Sequence, residues 1–361
     1  MLKKRGTALE RFASLDEKKD LAGLIDKQMK ILHVGGYHSL TLTFAKEQLK
    51  LGHEVTVMDT CGAEYFFEMP FACLEVKEKA AQIAKERYEI IQFHSAQSLF
   101  SFADGAALET TLKTLKSEGA KLLLYTYGED SLAKAEAHLP ADLSHRLLRE
   151  SFDFLFIGSP DNMSFSSLGV PWGWLAMPLD LETIPAEGQP AQNKKGELSF
   201  LHIPYRVPKE ESDLIIEIMA ALKGKGYRFN FKLVSPNEII DGTNLLQTLA
   251  DCNVYIEHLS KSSFGLPALK AMALGKTVLS GNSQSAWQSW EQLSVCPILD
   301  TSSDNFERRV ESILREPRCI KDLGRRSRRY VEAHHNAAII NRMVLDTYQR
   351  VLAGPRRARN N

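Results

Sequence analysis

Two cationic side chains occupy a position where they could bind a phosphate group. Arg206 and Lys209 lie in the segment HIPYRVPKEESD, between a predicted strand and the predicted helix that follows it. Guanidinium and ammonium groups form charge-assisted hydrogen bonds with phosphate oxygens, and the N-terminus of a helix adds unpaired backbone N–H groups. The segment therefore predicts a phosphate site at the end of this strand. The alternative is a pair of solvated surface cations.

A second segment, SSFGLPALKAMALGK, places a glycine-containing turn at the start of a helix. Gly265 would allow a ligand to approach the backbone closely, and Pro267 is suited to the first turn of a helix. The backbone N–H groups from Phe264 to Leu266 would then be available to an anion or to a sugar hydroxyl. We expect this turn to supply a second contact with the same ligand.

The N-terminal half of the chain offers further candidates at predicted strand ends. Gly35 and Gly36, in GGYH, would let a phosphate or a second substrate approach the backbone closely. His94 ends the strand IIQFHS, and Asp130 follows a strand in YTYGED. The alternative for His94 is a satisfied interfacial histidine, and the alternative for Asp130 is an N-cap of the next helix.

The sequence lacks the motifs that are typical of several other classes of protein. The sequence contains no GxGxxG, no GxxxxGK[ST] and no GxSxG, which argues against dinucleotide dehydrogenases, P-loop proteins and α/β-hydrolases. No DxD or HExxH is present, so we expect no metal site and no cofactor. The five cysteines are scattered and lack CxxC spacing, which argues against a disulfide framework and predicts a reducing compartment.

The composition predicts a globular protein of two domains. The chain has 361 residues, of which 44% are hydrophobic and 25% are charged. Basic and acidic residues number 45 each, so the bulk charge predicts no nucleic-acid partner. The charged N-terminus lacks the apolar segment of a secretory signal, and we expect a cytoplasmic protein. The basic segments RRSRR and PRRAR are either solvated faces or a peripheral contact with the inner face of a membrane.

Strands and helices alternate along the chain, which predicts an α/β fold with parallel sheets. A polar segment containing Pro and Gly interrupts the alternation and predicts a linker. The predicted units are a helical leader (1–28), an N-terminal Rossmann-like domain (29–184), the linker (185–197), a C-terminal Rossmann-like domain (198–335) and a last helix with a basic tail (336–361). We expect the two domains to face across a cleft, with ligands beyond the carboxyl ends of the strands.

The sequence resembles the GT-B glycosyltransferases, and its second half is similar to glycosyltransferase family 4. The resemblance is carried by GHEVTVMD, FGLPALKAMALGK and RRYVEAHHN. It implies a hexosyltransferase-type enzyme that transfers a sugar from a nucleotide-diphosphate donor with retention and without a metal. The N-terminal domain would bind the acceptor, the C-terminal domain would bind the donor, and the last helix would cross back to the first domain. The acceptor would be a glycan, a lipid-linked molecule or a protein in surface-polysaccharide or glycoconjugate synthesis.

The resemblance also implies roles for individual residues. His94 would face the sugar, and Asp130 would bind hydroxyl groups of the sugar or the acceptor. The departing diphosphate would act as the base, because no protein base is evident. The residues implied in donor binding are Gly35, Gly36, Arg206, Lys209, Glu257, Ser262, Ser263, Phe264, Gly265, Leu266 and Lys270.

The sequence departs from the family at its E-x7-E pattern. Aligned on FGLP, the two glutamates correspond to Ser262 and Lys270, so both carboxylates are absent. Lys270 could bind a phosphate instead, and Glu257 could supply a carboxylate from the neighbouring strand end. The third hypothesis is a non-catalytic GT-B-like protein that binds a sugar, a nucleotide or a partner transferase. A two-domain binding protein of the periplasmic type would need a secretory signal.

Overall fold

The computed structural model describes residues 27–35, 39–59, 72–74, 83, 85–96, 98–99, 105–127, 141–185, 196–204, 207–239, 242–260, 264–281 and 296–354. Most of the predicted leader and the middle of the predicted linker lie outside these ranges. Within them, no helix has the length and apolar character needed to cross a membrane.

The first sheet consists of seven parallel strands. They are β1 (Lys30–Gly35), β2 (Glu54–Asp59), β3 (Ala72–Leu74), β4 (Ile90–His94), β5 (Lys121–Thr126), β6 (Phe154–Ile157) and β7 (Trp172–Trp174). Their spatial order, β3-β2-β1-β4-β5-β6-β7, reverses between β1 and β4. Open α/β sheets bind ligands at such a reversal, so Gly35 and His94 end their strands at the edge where a ligand is expected.

The second sheet has five parallel strands. They are β8 (Ser199–His202), β9 (Asn230–Leu233), β10 (Val254–Ile256), β11 (Thr277–Ser280) and β12 (Leu299–Asp300). Their order is β12-β11-β10-β8-β9, which reverses between β8 and β10. The carboxyl ends of these two strands lead into α4 and into the segment that contains Glu257.

Nine α-helices lie within the described ranges. They are α1 (Ser39–Lys50), α2 (Gly105–Ser117), α3 (Ala141–Ser151), α4 (Lys209–Gly224), α5 (Gly242–Ala250), α6 (Leu266–Ala273), α7 (Phe306–Arg315), α8 (Cys319–His334) and α9 (Ala337–Ala353). The apolar spacing of helix α7 buries Phe306, Val310 and Ile313 along one face. The alternation of these helices with two parallel sheets confirms the predicted α/β class.

The last helix packs against the first sheet. Ile340, Val344 and Tyr348 of α9 share a buried cluster with Phe44 of α1 and Tyr125 of β5. These positions recur every four residues, so they form one apolar stripe. Helix α9 is therefore anchored on the first sheet.

A series of hydrogen bonds between buried polar side chains also joins α9 to the first domain. His33 Nδ1 lies 2.8 Å from His94 Nε2, and His33 Nε2 donates to Gln48 Oε1 at 2.9 Å. The side-chain amide of Gln48 donates in turn to Asn341 Oδ1 of α9 at 3.2 Å. Burial lowers the pKa of His33 to about 4, so the ring is neutral and its Nδ1 accepts the proton of His94.

Arg328 of α8 connects the second domain to the start of the linker. Its Nη1 donates to the carbonyl oxygen of Ala273, the last residue of α6, at 2.7 Å. The same nitrogen lies 3.4 Å from the carbonyl oxygen of Ile184 and 3.3 Å from that of Pro185. The positive charge of Arg328 also interacts favourably with the partial negative charge at the C-terminal end of α6.

The backbone of helix α8 lies in contact with the backbone of the turn that follows α6. Gly275 ends that turn with a φ of +69°, which glycine adopts without strain. A Cβ built on Gly324 would overlap the carbonyl oxygen of Gly275. The close contact between α8 and this turn thus requires glycine at position 324.

We expect Gly324→Ala to lower the free energy of unfolding by about 1–3 kcal/mol, because the added methyl group meets backbone atoms that cannot rotate away. Gly224→Ala is the matched control, since a Cβ at this helix end meets no atom within 4 Å and alanine favours the helix. Urea denaturation followed by circular dichroism measures both. A Gly324→Ala protein as stable as the wild type would contradict the close approach.

The buried His33 ring predicts a loss of stability in acid. Its pKa is about 4 in the folded protein and 6.5 ordinarily, so the unfolded chain binds more protons between these values, and the free energy of unfolding falls as the pH falls. We expect His33 to contribute about 2 kcal/mol to the difference between pH 7 and pH 5. His33→Gln should therefore lose less stability than the wild type over this interval in urea titrations. Equal losses would show that His33 titrates normally.

Candidate functional site

Glu257 holds the start of α6 in place. Its carboxylate is 6% exposed, and Oε1 accepts the backbone N–H of Gly265 at 3.0 Å. Oε2 accepts the hydroxyl of Ser280, at the end of β11, at 3.1 Å. A Cβ on Gly265 would lie 3.1 Å from Oε1, so glycine leaves room for this contact. One N–H group expected to face a ligand is thus already bonded to a protein carboxylate.

A second buried carboxylate lies at the start of α4. Glu211 is 7% exposed, and its Oε1 accepts the backbone N–H of Leu259 at 2.6 Å. His202 lies nearby and connects the same elements: Nδ1 donates to the carbonyl oxygen of Ile256 at 2.9 Å, and Nε2 accepts from Ser212 at 3.1 Å. Burial lowers the pKa of His202, so the neutral ring matches these bonds. The ends of β8 and β10 are therefore fixed against α4.

Lys270 is the half-buried cation of this region. Burial lowers the pKa of its ammonium group, and no hydrogen bond or salt bridge joins it to another residue in the described part of the chain. Side chains of a helix tilt toward its N-terminus, so the Lys270 stem lies over the first turn of α6. An ammonium group that is partly desolvated and has no internal counterion is suited to binding an anion.

The first cation pair falls only partly within the described residues. Lys209 is exposed at the start of α4, and among the residues with described positions it forms no salt bridge. Arg206 lies outside the described residues, and so do Ser262 and Ser263. The proposed contact of Arg206 and Lys209 with a diphosphate stays a prediction.

The two residues that flank Gly265 differ in their surroundings. Phe264 is 4% exposed and packs edge-on against the His335 ring, with 6.2 Å between the ring centroids. Leu266 is half-buried as the first residue of α6. Phe264 therefore fixes the turn by packing.

Gly35 and His94 lie at the reversal between β1 and β4. A Cβ on Gly35 would lie 2.9 Å from the Cβ of His94 and 3.3 Å from Thr41 Oγ1, so glycine lets the strand end pack against its neighbours. His94 is fully buried and bonds to His33. Its predicted role facing a sugar stays a prediction, while Gly36 and Asp130 lie outside the described residues.

Ser95, which follows β4 directly, was not singled out in the sequence. It has a φ of +85°, a conformation that serine adopts rarely and that often marks functional loops. Its N–H donates to the carbonyl oxygen of Tyr125 at 2.8 Å, and its hydroxyl lies 3.1 Å from that of Ser98. No local sequence pattern predicts this backbone conformation.

The arrangement presents a half-buried ammonium group and buried carboxylates, which can bind anions and hydroxyl groups, respectively. Across the described ranges, no group of three or more His, Cys, Asp or Glu side chains could hold a metal ion. The structure brings Glu257, Gly265 and Leu266 together at the start of α6, and Lys270 lies one turn further along the helix.

Comparisons with known proteins show where this fold occurs. No protein-family model matches the chain, and no curated protein matches it. Solved structures do resemble it. A glycosyltransferase from Rickettsia africae has a TM-score of 0.65 at 12% identity, over 91% of this chain and 100% of that one.

Two further structures are similar over the same extent. Sucrose-phosphate synthase from Thermosynechococcus elongatus has a TM-score of 0.64 at 14% identity and covers 91% of this chain and 100% of its own. HepE of Anabaena in complex with UDP has a TM-score of 0.61 at 13% identity, with coverages of 89% and 100%. At such low identity the likeness shows the fold alone: the chain consists of two Rossmann-like domains in the GT-B arrangement.

Proposed function

We propose that this protein is a glycosyltransferase that uses a nucleotide-diphosphate sugar, of the retaining and metal-independent type represented by family 4. The observation that carries the proposal is the half-buried Lys270 ammonium group, which has no counterion within the described ranges. It lies at the carboxyl edge of the second sheet, where α/β folds bind ligands. The GT-B fold shared with HepE in complex with UDP-glucose supports a nucleotide-sugar ligand.

The proposed reaction needs positive charge on the donor side. As the bond between the sugar and the diphosphate breaks, negative charge builds up on the departing diphosphate. Lys270 would neutralise part of that charge from α6, Arg206 would do so from the loop before α4, and Lys209 would do so from the first turn of α4. A cation held in a partly desolvated site interacts more strongly with the leaving group than one in water.

The acceptor would enter from the first domain. In this proposal its hydroxyl group attacks the sugar carbon on the face from which the diphosphate leaves, and the diphosphate oxygen takes the hydroxyl proton. Gly36, His94 and Asp130 remain the candidates for orienting the sugar and the acceptor. Surface-polysaccharide or glycoconjugate synthesis is the setting that the family resemblance suggests.

A specific observation also favours the non-catalytic alternative. The N-terminus of α6 already receives the Glu257 carboxylate, and the first turn of α4 contains the buried carboxylate of Glu211. These negative charges oppose a second anion at both helix starts. A non-catalytic protein that binds a neutral sugar or a partner transferase is compatible with these charges, whereas binding of a nucleotide without turnover is opposed by them as much as transfer is.

We expect Lys270→Gln to weaken binding of the nucleoside diphosphate that the protein prefers among UDP, GDP and ADP. One charge-assisted contact contributes about 1.5–3 kcal/mol, which corresponds to roughly 10- to 100-fold in dissociation constant. Isothermal titration calorimetry measures the change. Lys232→Gln is the control, because Lys232 is exposed on β9. Equal affinity of the wild type and the Lys270 variant would remove Lys270 from the site.

The enzyme and the non-catalytic protein differ in their response to donors. We expect one nucleotide sugar in a thermal-shift panel to raise the melting temperature and to be hydrolysed slowly without an acceptor. Arg206→Ala should abolish that binding, because the guanidinium group is the strongest phosphate ligand in the proposed site. A donor that stabilises the protein without hydrolysis or transfer would support the non-catalytic alternative. Unchanged donor binding by the Arg206→Ala variant would show that Arg206 does not hold the diphosphate.

A further inference from the structure

The exposed side of helix α8 carries an excess of positive charge. The exposed acidic side chains of this helix are Asp322 and Glu332. The whole chain has 45 basic and 45 acidic residues, whereas this side has five basic residues against two acidic ones. The excess of positive charge is therefore local. The five exposed basic residues of the helix and its N-cap are Arg318, Lys321, Arg325, Arg326 and Arg329.

The helical repeat spreads these cations along the outer side of α8. On the inner side, Gly324 and Val331 are buried, and Gly324 contacts the turn after α6. Arg318, Arg325 and Arg329 are separated by seven and four residues, which are close to whole helical turns, so they lie along one line. That line is roughly 16 Å long at the rise of an α-helix. The cations therefore cover an extended surface and do not converge on one point.

Four of the five cations have no ionic partner among the residues with described positions. Asp322 accepts a hydrogen bond from Arg325 at 3.1 Å. Glu332 accepts one at 2.7 Å from Arg328, whose side chain is 14% exposed. Both acidic side chains of this surface are thus already engaged. The side chains that form neither a hydrogen bond nor a salt bridge with a described residue are those of Arg318, Lys321, Arg326 and Arg329.

Helix α4, which has the same length as α8, shows no such excess. The acidic side chains exposed on α4 outnumber the basic ones by three to two. The positive charge is therefore a property of the α8 surface and not of every exposed helix in the second domain. The exposed charged residues of α4 are Lys209, Glu210, Asp213, Glu217 and Lys223.

The spread of the cations favours an extended anionic surface over a small anion. A single phosphate group is bound by donors that converge on it, which these side chains do not do. A bilayer with anionic lipids presents many negative headgroups, and each basic residue near it strengthens binding about fivefold. Single-stranded nucleic acid is less suited, because the exposed side of α8 has no aromatic side chain on which a base could stack.

We propose that the exposed side of α8 binds the surface of membranes that contain anionic lipids. The excess of positive charge corresponds to about 100-fold tighter binding to such a membrane than to a neutral one. The inference goes beyond the proposed function and does not depend on it, because the cations lie on the side of α8 opposite to the one that contacts the turn after α6.

Binding of the full chain to vesicles tests this surface. The vesicles consist of phosphatidylcholine alone, or of phosphatidylcholine and phosphatidylglycerol in equal amounts, and sedimentation measures the bound fraction. We expect tight binding to the anionic vesicles only, and weaker binding as salt is added, because salt screens exposed charges. The double variant Arg326→Gln/Arg329→Gln should bind the anionic vesicles about 25-fold more weakly. Its circular dichroism spectrum should be unchanged, because both side chains are exposed.

The controls separate this surface from a general effect of charge. Lys85→Gln/Lys232→Gln removes two exposed positive charges elsewhere, and we expect it to bind like the wild type. Inorganic phosphate or a DNA duplex, at matched ionic strength, should not displace the protein from the vesicles.

Four outcomes would overturn the inference. They are a wild type that does not bind the anionic vesicles, an α8 variant that binds them equally well, an equal loss in the lysine variant, and displacement by either competitor. All of these measurements are made without a nucleotide. A negative result would therefore leave the proposed function untouched, and a protein that binds no nucleotide sugar could still bind the vesicles.

Discussion

The structure of the candidate site depends on one buried carboxylate. Burying a charged group is costly unless hydrogen bonds replace its water, and Glu257 obtains these from the Gly265 N–H and the Ser280 hydroxyl. Those two bonds join β10 to the start of α6 and to the end of β11. Because α6 carries Lys270, the two hydrogen bonds of Glu257 also fix the position of this half-buried cation.

The hydrogen bond between Glu257 and the Gly265 N–H group limits how the start of α6 can bind an anion. A helix that begins with free N–H groups attracts phosphate through its backbone, whereas α6 begins with one N–H group bonded to an internal carboxylate. A phosphate at this helix start would find one backbone N–H group fewer, so the proposed side-chain cations would have to supply more of the binding. The protein differs in this respect from a site built on a glycine-rich turn alone.

The fold could be predicted from the sequence because it follows from local periodicity. The continuous apolar run LLLY predicts a strand covered on both faces, and β5 is buried at five of its six positions. The site could not be predicted to the same depth. His94 is enclosed because the strand order places β1 beside β4, and Glu211 meets Leu259 across 48 residues. Such contacts depend on tertiary packing, which the spacing of residue types along the chain does not encode.

The guanidinium group of Arg328 has a mechanical consequence. It touches the final carbonyl of α6 and the two carbonyls at which the chain leaves the first domain. A rotation of the first domain that displaces the carbonyl groups of Ile184 and Pro185 would break these bonds unless α6 moves as well. Arg328 thus couples the exit of the chain from the first domain to the position of α6, alongside the packing of α9 on the first sheet.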